Sequence, residues 1–470
     1  CLSNCGHSFD LSIGVMHRCM VHIDNVYKFP NADVIGKLCR TNLASNTAYR
    51  GFGGPQGMFA TESIMLHIAE ETGIDIDELR ERNLYEHTDK TFFGNTMEIC
   101  NVRRCWYECK EKSNYNERKE AAAEFNKNNR FRKRGVALTP TKFSIGFGLK
   151  QLNQATALLL VYTDGSVLVS HGGMEMGQGL HTKIIQVTSR CLGIDASKIH
   201  IQDASTDKVP NASPTAASMG SDLNGLAIQD ACNQLNDRLA PLKKELPNTT
   251  WEELILEAYV RRISLSASGF ATTPCEPVNF TTGQGGELFP YAVYGTAFCE
   301  VEIDCLTGDH HLLRTEIVMD VGDSLNPAID IGQIEGAFIQ GYGLYTMEET
   351  KIRPDGIRLS RGPGAYKIPS ADDCPRQFSV HLLKGSSNKS SIFSSKAVGE
   401  PPLFLGSCAL FAIRDAIKAH REARGWKGYF RFDSPATAER IRMTCEDELI
   451  DKVPVLPKDR STFTPWVVDL

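Results

Sequence analysis

Apolar residues recur at helical spacing between Pro55 and Gly73, through Met58, Ile64, Met65 and Ile68, with proline near the start and glycine past the end. This pattern predicts a helix with those four side chains on its buried face. A second, more charged helix is predicted over residues 105–128, and the sharpest change in composition follows it, through Arg134-Gly135. Beyond that point the period falls to two and the apolar runs shorten. Runs 157–163 and 166–170 flank Asp164-Gly165, which predicts a hairpin closed by a two-residue type I′ turn with positive φ at both positions.

Further along, a helix is predicted over 180–192, closed by Gly193, and then a strand over 198–202. Thr250 with Glu253 forms a capping-box pattern for a helix to about Arg262. Strands 297–304 and 311–321 turn through Leu306-Thr307-Gly308-Asp309. Helices are expected near 329–347, 402–424 and, after Ser434-Pro435, 436–445. The fold class is therefore α+β, without a short repeat or a low-complexity tract.

With 470 residues, 41% of them hydrophobic, the chain can bury more than one core, and two or three domains are expected. Lys+Arg 51 against Asp+Glu 57 leaves a formal charge of −6. The one dense basic run, Arg130-Phe131-Arg132-Lys133-Arg134, reads as a solvated helix end, so nucleic acid is not an expected partner. No apolar run approaches the roughly 20 residues that span a bilayer, and no signal-like start is present. A cytoplasmic location without membrane association is expected. The first residues, from Cys1, read as the middle of a domain, which suggests a fragment. Fifteen cysteines are scattered without a dense framework and are expected as reduced thiols. Cys100, Cys105 and Cys109 lack a CxxC and a second ligand pair, so no side-chain metal site is expected there.

Candidate chemistry concentrates in the run Ser395-Lys396-Ala397-Val398-Gly399-Glu400-Pro401-Pro402-Leu403-Phe404-Leu405. Glu400 stands where a helix begins, beside a glycine that permits close backbone approach and two prolines that fix φ. Read alone, an acid at a helix start complements the dipole; a second role is that of a catalytic base. Three other segments keep it company: Arg50-Gly51-Phe52-Gly53-Gly54-Pro55-Gln56-Gly57, Gly172-Gly173-Met174-Glu175-Met176-Gly177-Gln178-Gly179, and Ser213-Pro214-Thr215-Ala216-Ala217-Ser218. Such loops, where they precede helices, suit a phosphate-bearing organic cofactor. None is a GxGxxG dinucleotide loop or a GxxxxGK[ST] loop.

These segments, with Arg40-Thr41-Asn42-Leu43-Ala44-Ser45-Asn46-Thr47-Ala48-Tyr49 before the first, resemble the molybdenum-binding region of the xanthine dehydrogenase family of molybdenum hydroxylases. The similarity continues through Val301-Glu302-Ile303-Asp304-Cys305-Leu306-Thr307-Gly308-Asp309 and Arg431-Phe432-Asp433-Ser434-Pro435-Ala436-Thr437. The resemblance implies two mixed α/β molybdopterin-binding domains with the cofactor between them, the first truncated at its N-terminus. Their implied extents are 1–104 and 105–375, with residues 376–470 completing the active site.

The implied activity is hydroxylation of a carbon beside a ring nitrogen, or of an aldehyde carbon, with oxygen from water and a molybdenum held by a pterin dithiolene. Arg50, Gln178 and Ala217 fall in the implied cofactor-binding set, and Glu400 matches the general base. Phe52 and Phe147 match the aromatic pair that holds a flat heterocycle. Arg18 matches the arginine that steadies charge on a purine oxygen, which favours purine over aldehyde substrates. One departure is Gly148, which stands where the family carries a hydroxyl-bearing residue of the substrate pocket. The family further implies FAD and two [2Fe–2S] clusters in a part not present in this chain, NAD or oxygen as acceptor, a homodimer, and a peroxisomal location as the alternative. This segment alone is not expected to turn over efficiently. An aldehyde oxidase is the alternative enzyme, and a catalytically silent cofactor-binding module is the competing expectation of a different class.

Overall fold

In a computed structural model that describes residues 1–276 and 286–453, the change of period near residue 130 marks the start of a long antiparallel ladder. Strand β1 (Leu2–Gly6), helix α1 (Ser12–Met20) and strand β2 (Lys37–Arg40) come first, then helices α2 (Gly54–Thr72), α3 (Ile76–Asn83), α4 (Val102–Lys112) and α5 (Tyr115–Asn128). Strands β3 (Arg132–Ile145), β4 (Gln154–Val161) and β5 (Val167–His171) follow, then α6 (Leu180–Leu192), β6 (Ile199–Ile201), α7 (Gly220–Glu245), α8 (Trp251–Val260) and β7 (Ser266–Thr272). The remainder comprises β8 (Tyr291–Asp304), β9 (His310–Met319), α9 (Pro327–Thr346), β10 (Gln377–Leu382), α10 (Ser407–Glu422) and α11 (Ala438–Cys445).

One four-stranded sheet has the order β10-β9-β8-β3, with β8 antiparallel to both neighbours and β10 parallel to β9. The β3–β8 register runs from Arg132 opposite Asp304 to Ile145 opposite Tyr291. Helix α10 lies on this pair so closely that a Cβ on Gly135 would overlap the Ala412 carbonyl oxygen. The second sheet, β6-β5-β4-β7, carries α7 against β4 and β7, with α6 beside it. One apolar core runs through both sheets and these helices. The layering is the mixed α/β arrangement expected, with helices covering the apolar sheet faces.

Several elements differ from their sequence-based outlines. Helix α2 buries Met58 and Met65 but leaves Ile64 51% and Ile68 40% exposed. Its inward face carries the fully buried Glu62, whose Oε2 accepts from Arg80 Nε at 3.1 Å and Nη2 at 2.8 Å, while Oε1 accepts from Tyr27 at 2.6 Å and Asn25 at 2.9 Å. A satisfied charge, invisible to hydrophobic periodicity, turned the helix. The single helix expected over 105–128 is two, broken where Asn114 takes a left-handed φ of 51°.

Arg134-Gly135 lies inside β3, and Lys133 Nζ donates to the carbonyls of Asn126 and Asn129, each at 2.6 Å, closing the C-terminal end of α5. The β4–β5 hairpin is present, but of its two turn residues only Gly165 has positive φ, 82°. Its N–H bonds the Tyr162 carbonyl at 2.9 Å, and the Asp164 carboxylate accepts from the N–H and hydroxyl of Ser166, an Asx turn in place of type I′. The helix expected from 402 begins with a 3₁₀ segment, Pro401–Gly406, before α10.

Candidate active site

The Glu400 segment is tied to the scaffold almost residue by residue. Lys396 donates its backbone N–H to the Val321 carbonyl at 2.8 Å, and its buried Nζ pairs with the buried Asp320 carboxylate at 2.7 Å. Burial would raise the Asp320 carboxyl, but Lys396, Ser386 and Asn101 together hold it below its ordinary value. The Ala397 N–H donates to the Tyr291 hydroxyl at 3.0 Å, and that hydroxyl donates onward to Asp222 at 2.6 Å. Burial pushes Asp222 up to about 7. The Gly399 carbonyl accepts from Arg50 Nε at 2.5 Å.

Glu400 itself is gripped at both oxygens. Its Oε1 accepts from the Gly51 N–H at 3.1 Å and its Oε2 from the Ser218 hydroxyl at 2.9 Å. Ser218 and Ala217 each hold φ at 56°, two consecutive left-handed residues with side chains. Such strain persists where surrounding contacts over-determine the backbone, as at ligand sites. Burial lowers the guanidinium pKa values of Arg18 and Arg50, and the Glu400 charge partly restores both. Glu400 therefore stands in the electrostatic field of two arginines from distant parts of the chain.

A cavity of about 450 Å³ opens in front of Glu400, lined by Arg50, Gln178, residues 215–218, the first turn of α7, Gln333 and residues 395–400. Helix α7 starts without a side-chain cap and its first three residues line this space, and an uncapped helix start suits an anionic group. Arg50 is fixed by Gln340 at 3.1 Å and Gln333 at 3.2 Å, and Lys183, also lining the cavity, is neutralised by Asp330 at 2.6 Å. Gln178 folds onto its own loop, donating to the Met174 carbonyl at 2.8 Å and accepting from the Met176 N–H at 2.6 Å. The donors lining the cavity are backbone N–H groups, amides, hydroxyls, one guanidinium and the ammonium groups of Lys183 and Lys396, both paired with carboxylates. Among the described residues no group of three or more His, Cys, Asp or Glu side chains could hold a metal ion. This donor set fits a phosphate-bearing organic group that brings its own metal ligands.

The residues that the resemblance assigns to substrate binding lie in a second cluster. Arg18, buried on α1, donates to the Ser144 carbonyl at 2.8 Å and the Gly146 carbonyl at 2.5 Å, with the Phe143 and Phe289 rings 5.2 and 5.0 Å away. Phe147 follows Gly146, and Asn153 braces both its N–H and its carbonyl at 3.0 Å. Phe52, with φ 51°, adjoins the Gly51 that bonds Glu400. Thus Arg50, Gln178, Ala217 and Glu400 meet around the cavity. Arg18, Phe52, Phe147 and Gly148 do not line it and connect to it through Gly51 and the field of Glu400.

Sequence reading left Ser218, Tyr291 and Asp222 unassigned. Asp222 lies in the first turn of α7, which begins two residues after Ser218 and which no periodicity signal marks. Gly225, Asn224, Asn233 and Pro241 obscure that helix, while Ala227 packs so tightly on β7 that a Cβ on Gly269 would overlap its carbonyl oxygen. Glu175, in the glycine-rich loop 172–179, accepts from the N–H groups of Gly177, Gly179 and His181 at 2.9–3.0 Å and so caps α6.

A family described as molybdopterin cofactor-binding domain matches residues 108–375, and a second of the same description matches residues 1–84. Xanthine dehydrogenase of Drosophila subobscura is 52% identical over 466 residues, which is 99% of this chain and 34% of that relative. Xanthine dehydrogenase/oxidase of Gallus gallus is 54% identical with the same coverage. The chain thus spans about a third of the length of the curated relatives it matches. Among solved structures, an aldehyde oxidoreductase from Desulfovibrio desulfuricans superposes with a TM-score of 0.79 at 25% identity, over 94% of this chain and 46% of that one. Quinoline 2-oxidoreductase from Pseudomonas putida shares the fold at a TM-score of 0.81 and 21% identity, over 96% of this chain and 59% of that one. With the matches to two such domain models and to these relatives, the chain belongs to the molybdopterin cofactor-binding family, whose cofactor is molybdenum-molybdopterin.

Proposed function

We propose that this chain is the molybdenum-cofactor portion of an enzyme that hydroxylates purines, hypoxanthine to xanthine and xanthine to urate. The observation that carries the reading is the Glu400 carboxylate, held at the cavity wall by the Gly51 N–H and the Ser218 hydroxyl. Arg50, Gln178, Ala217 and the first turn of α7 would hold the cofactor. When bound, it supplies the two-electron oxidation of the substrate carbon, the inserted oxygen coming from water.

Glu400 is the base in this reading. Each oxygen accepts one hydrogen bond, which fixes the carboxylate and leaves lone pairs to take up the proton released as oxygen is added. Arg18 spends two N–H groups on the Ser144 and Gly146 carbonyls, and guanidinium carries five, so donors remain for a developing charge on a purine oxygen. Phe52 and Phe147 hold the flat ring. The same reading divides the chain at 1–104, 105–375 and 376–470, the last segment delivering Glu400. It sends electrons to two [2Fe–2S] clusters and FAD elsewhere in a longer homodimeric protein, with NAD or oxygen as acceptor. The fifteen free cysteines support a reducing compartment, cytoplasm or peroxisome. Among the described residues no helix is long and apolar enough to cross a membrane.

The test is Glu400→Gln in the full-length protein, assayed by xanthine-dependent reduction of NAD or oxygen. Molybdenum content should stay unchanged while turnover falls by about 10²-fold or more, the usual worth of a general base. An active variant overturns the assignment.

A further inference from the structure

Three backbone N–H groups of the segment that ends at Glu400 are held from the start of α7. Ile392 donates to Asp222 Oδ1 at 3.3 Å, and Glu400 donates to the Ser218 hydroxyl at 2.9 Å. Between them, Ala397 donates to the Tyr291 hydroxyl at 3.0 Å, which in turn donates to Asp222 Oδ2 at 2.6 Å. Helix and segment meet closely: a Cβ on Gly225 would lie 3.1 Å from Ile392 Cγ1. Asp222, 2% exposed, belongs to the first turn of α7, which lines the cavity together with Ala397 and Glu400. Tyr291 opens β8 opposite Ile145, so the hydroxyl at the centre of this array is supplied by the long β3–β8 ladder.

We propose that Tyr291 and Asp222 are positioning residues for the Glu400 base, tying its place to the first turn of α7, where an anionic group of the cofactor would be seated. The inference deepens the proposed function and rests on it. Their bonds run to the N–H groups of Ile392 and Ala397, so both residues act on Glu400 through the backbone. A tyrosine hydroxyl has one proton to donate and lone pairs to accept with; here the proton serves the carboxyl and a lone pair serves the Ala397 N–H. Desolvation, then the Asp222 charge, pushes that hydroxyl well above its ordinary pKa, so it remains a donor. Asp222 suits the same place, because a carboxyl raised to about 7 by burial keeps its proton at lower pH and there does not oppose an anion at the helix start.

The array fixes what each replacement removes. Phenylalanine at 291 keeps the ring yet leaves the Ala397 N–H and Asp222 Oδ2 without this partner. Asparagine at 222 keeps an oxygen for the Tyr291 hydroxyl, and alanine keeps none. Ser218 acts on the same carboxylate from the other end of the segment, so the loss of its hydroxyl and of the Tyr291 hydroxyl are coupled.

The test uses full-length protein carrying Tyr291→Phe, Asp222→Ala, Asp222→Asn, Ser218→Ala, the pair Tyr291→Phe with Ser218→Ala, and Glu400→Gln for reference. Molybdenum content and melting temperature are measured for each, and kcat and KM for xanthine are expressed per bound molybdenum. Tyr291→Phe should lower kcat per molybdenum by about threefold to tenfold, the worth of one neutral hydrogen bond, while KM moves by less than about twofold. Its molybdenum content should fall as well, because the first turn of α7 loses its tie to the sheet. Asp222→Ala should behave like Tyr291→Phe, and Asp222→Asn should recover most of the kcat that Asp222→Ala loses. The paired variant should lose less than the product of its two single losses. A Tyr291→Phe protein with a lower melting temperature but unchanged kcat per molybdenum overturns the inference, as does a loss confined to KM. Undiminished molybdenum content in both Tyr291→Phe and Asp222→Ala contradicts the tie to the cofactor seat. Equal kcat in Asp222→Asn and Asp222→Ala overturns the positioning role even where Tyr291→Phe fails to fold. Turnover that persists in Glu400→Gln would instead sink the base assignment, whereas an inactive Glu400→Gln beside a fully active Tyr291→Phe sinks the positioning role alone.

Discussion

Ser218 makes two hydrogen bonds to a single residue: its hydroxyl accepts the Glu400 backbone N–H and donates to Glu400 Oε2, both at 2.9 Å. One side chain thus sets both where the Glu400 backbone sits and which way its carboxylate points. Ser218 is itself held in a left-handed conformation at the turn into α7.

Ser218→Ala should therefore misorient the carboxylate without unfolding the chain. A hydrogen bond to a charged group is worth about 1.5–3 kcal/mol, which corresponds to a fall of roughly 10- to 100-fold in kcat/KM. Steady-state kinetics with molybdenum content as control would check this, and undiminished kcat/KM would contradict it.

Arg18 has a structural role in its bonds to the Ser144 and Gly146 carbonyls, and the proposed function adds a substrate role. Arg18→Met should abolish most xanthine turnover while sparing aromatic aldehyde oxidation, because only the purine reaction places charge on an oxygen near the guanidinium. It should further lower the melting temperature, since the buried carbonyls of Ser144 and Gly146 lose their donors at about 1–3 kcal/mol each. Parallel assays with the two substrates, plus thermal melting, separate the effects. Equal loss with both substrates would rule out the charge-steadying role.

The Lys396–Asp320 pair is buried on both sides, with side-chain exposures of 2% and 0%. Lys396→Met strands the Asp320 charge and should destabilise by about 3–5 kcal/mol, whereas replacing both partners by apolar residues should cost less. Urea unfolding of the two variants measures the difference. Because Lys396 belongs to the Glu400 segment and lines the cavity, the single variant should further lose bound cofactor.

Asp222 gives a pH signature. Its carboxyl is raised to about 7 by burial, from an ordinary value of 3.8, so the folded protein retains a proton that the unfolded chain releases between those values. The corresponding stability is full below about pH 4 and lost as pH rises through about 7. Asp222→Asn removes this titration, so its melting temperature should fall less than that of the unaltered protein between about pH 4 and 7. Parallel slopes for the two proteins would refute the assignment.

What the sequence determined by itself is local. Helix α6 from Leu180 to Leu192, the cap at Gly193 and the Thr250–Glu253 capping box follow from spacing and end chemistry that act within a few residues. The four loop motifs carried the family resemblance for the same reason, as short strings of small and rigid residues around a few polar ones. Tertiary structure alone decided which face of α2 turns inward, because Glu62 is buried only by virtue of Arg80, Tyr27 and Asn25. It likewise decided the site, where Arg50 and Gly51 reach Gly399 and Glu400 across 349 residues and Ser218 reaches Glu400 across 182. Hydrogen bonds and charge pairs between such distant groups form only after the sheets and helices have packed. The pattern of any one segment therefore holds no record of them, and Gly148 shows its neighbour His17 only in three dimensions.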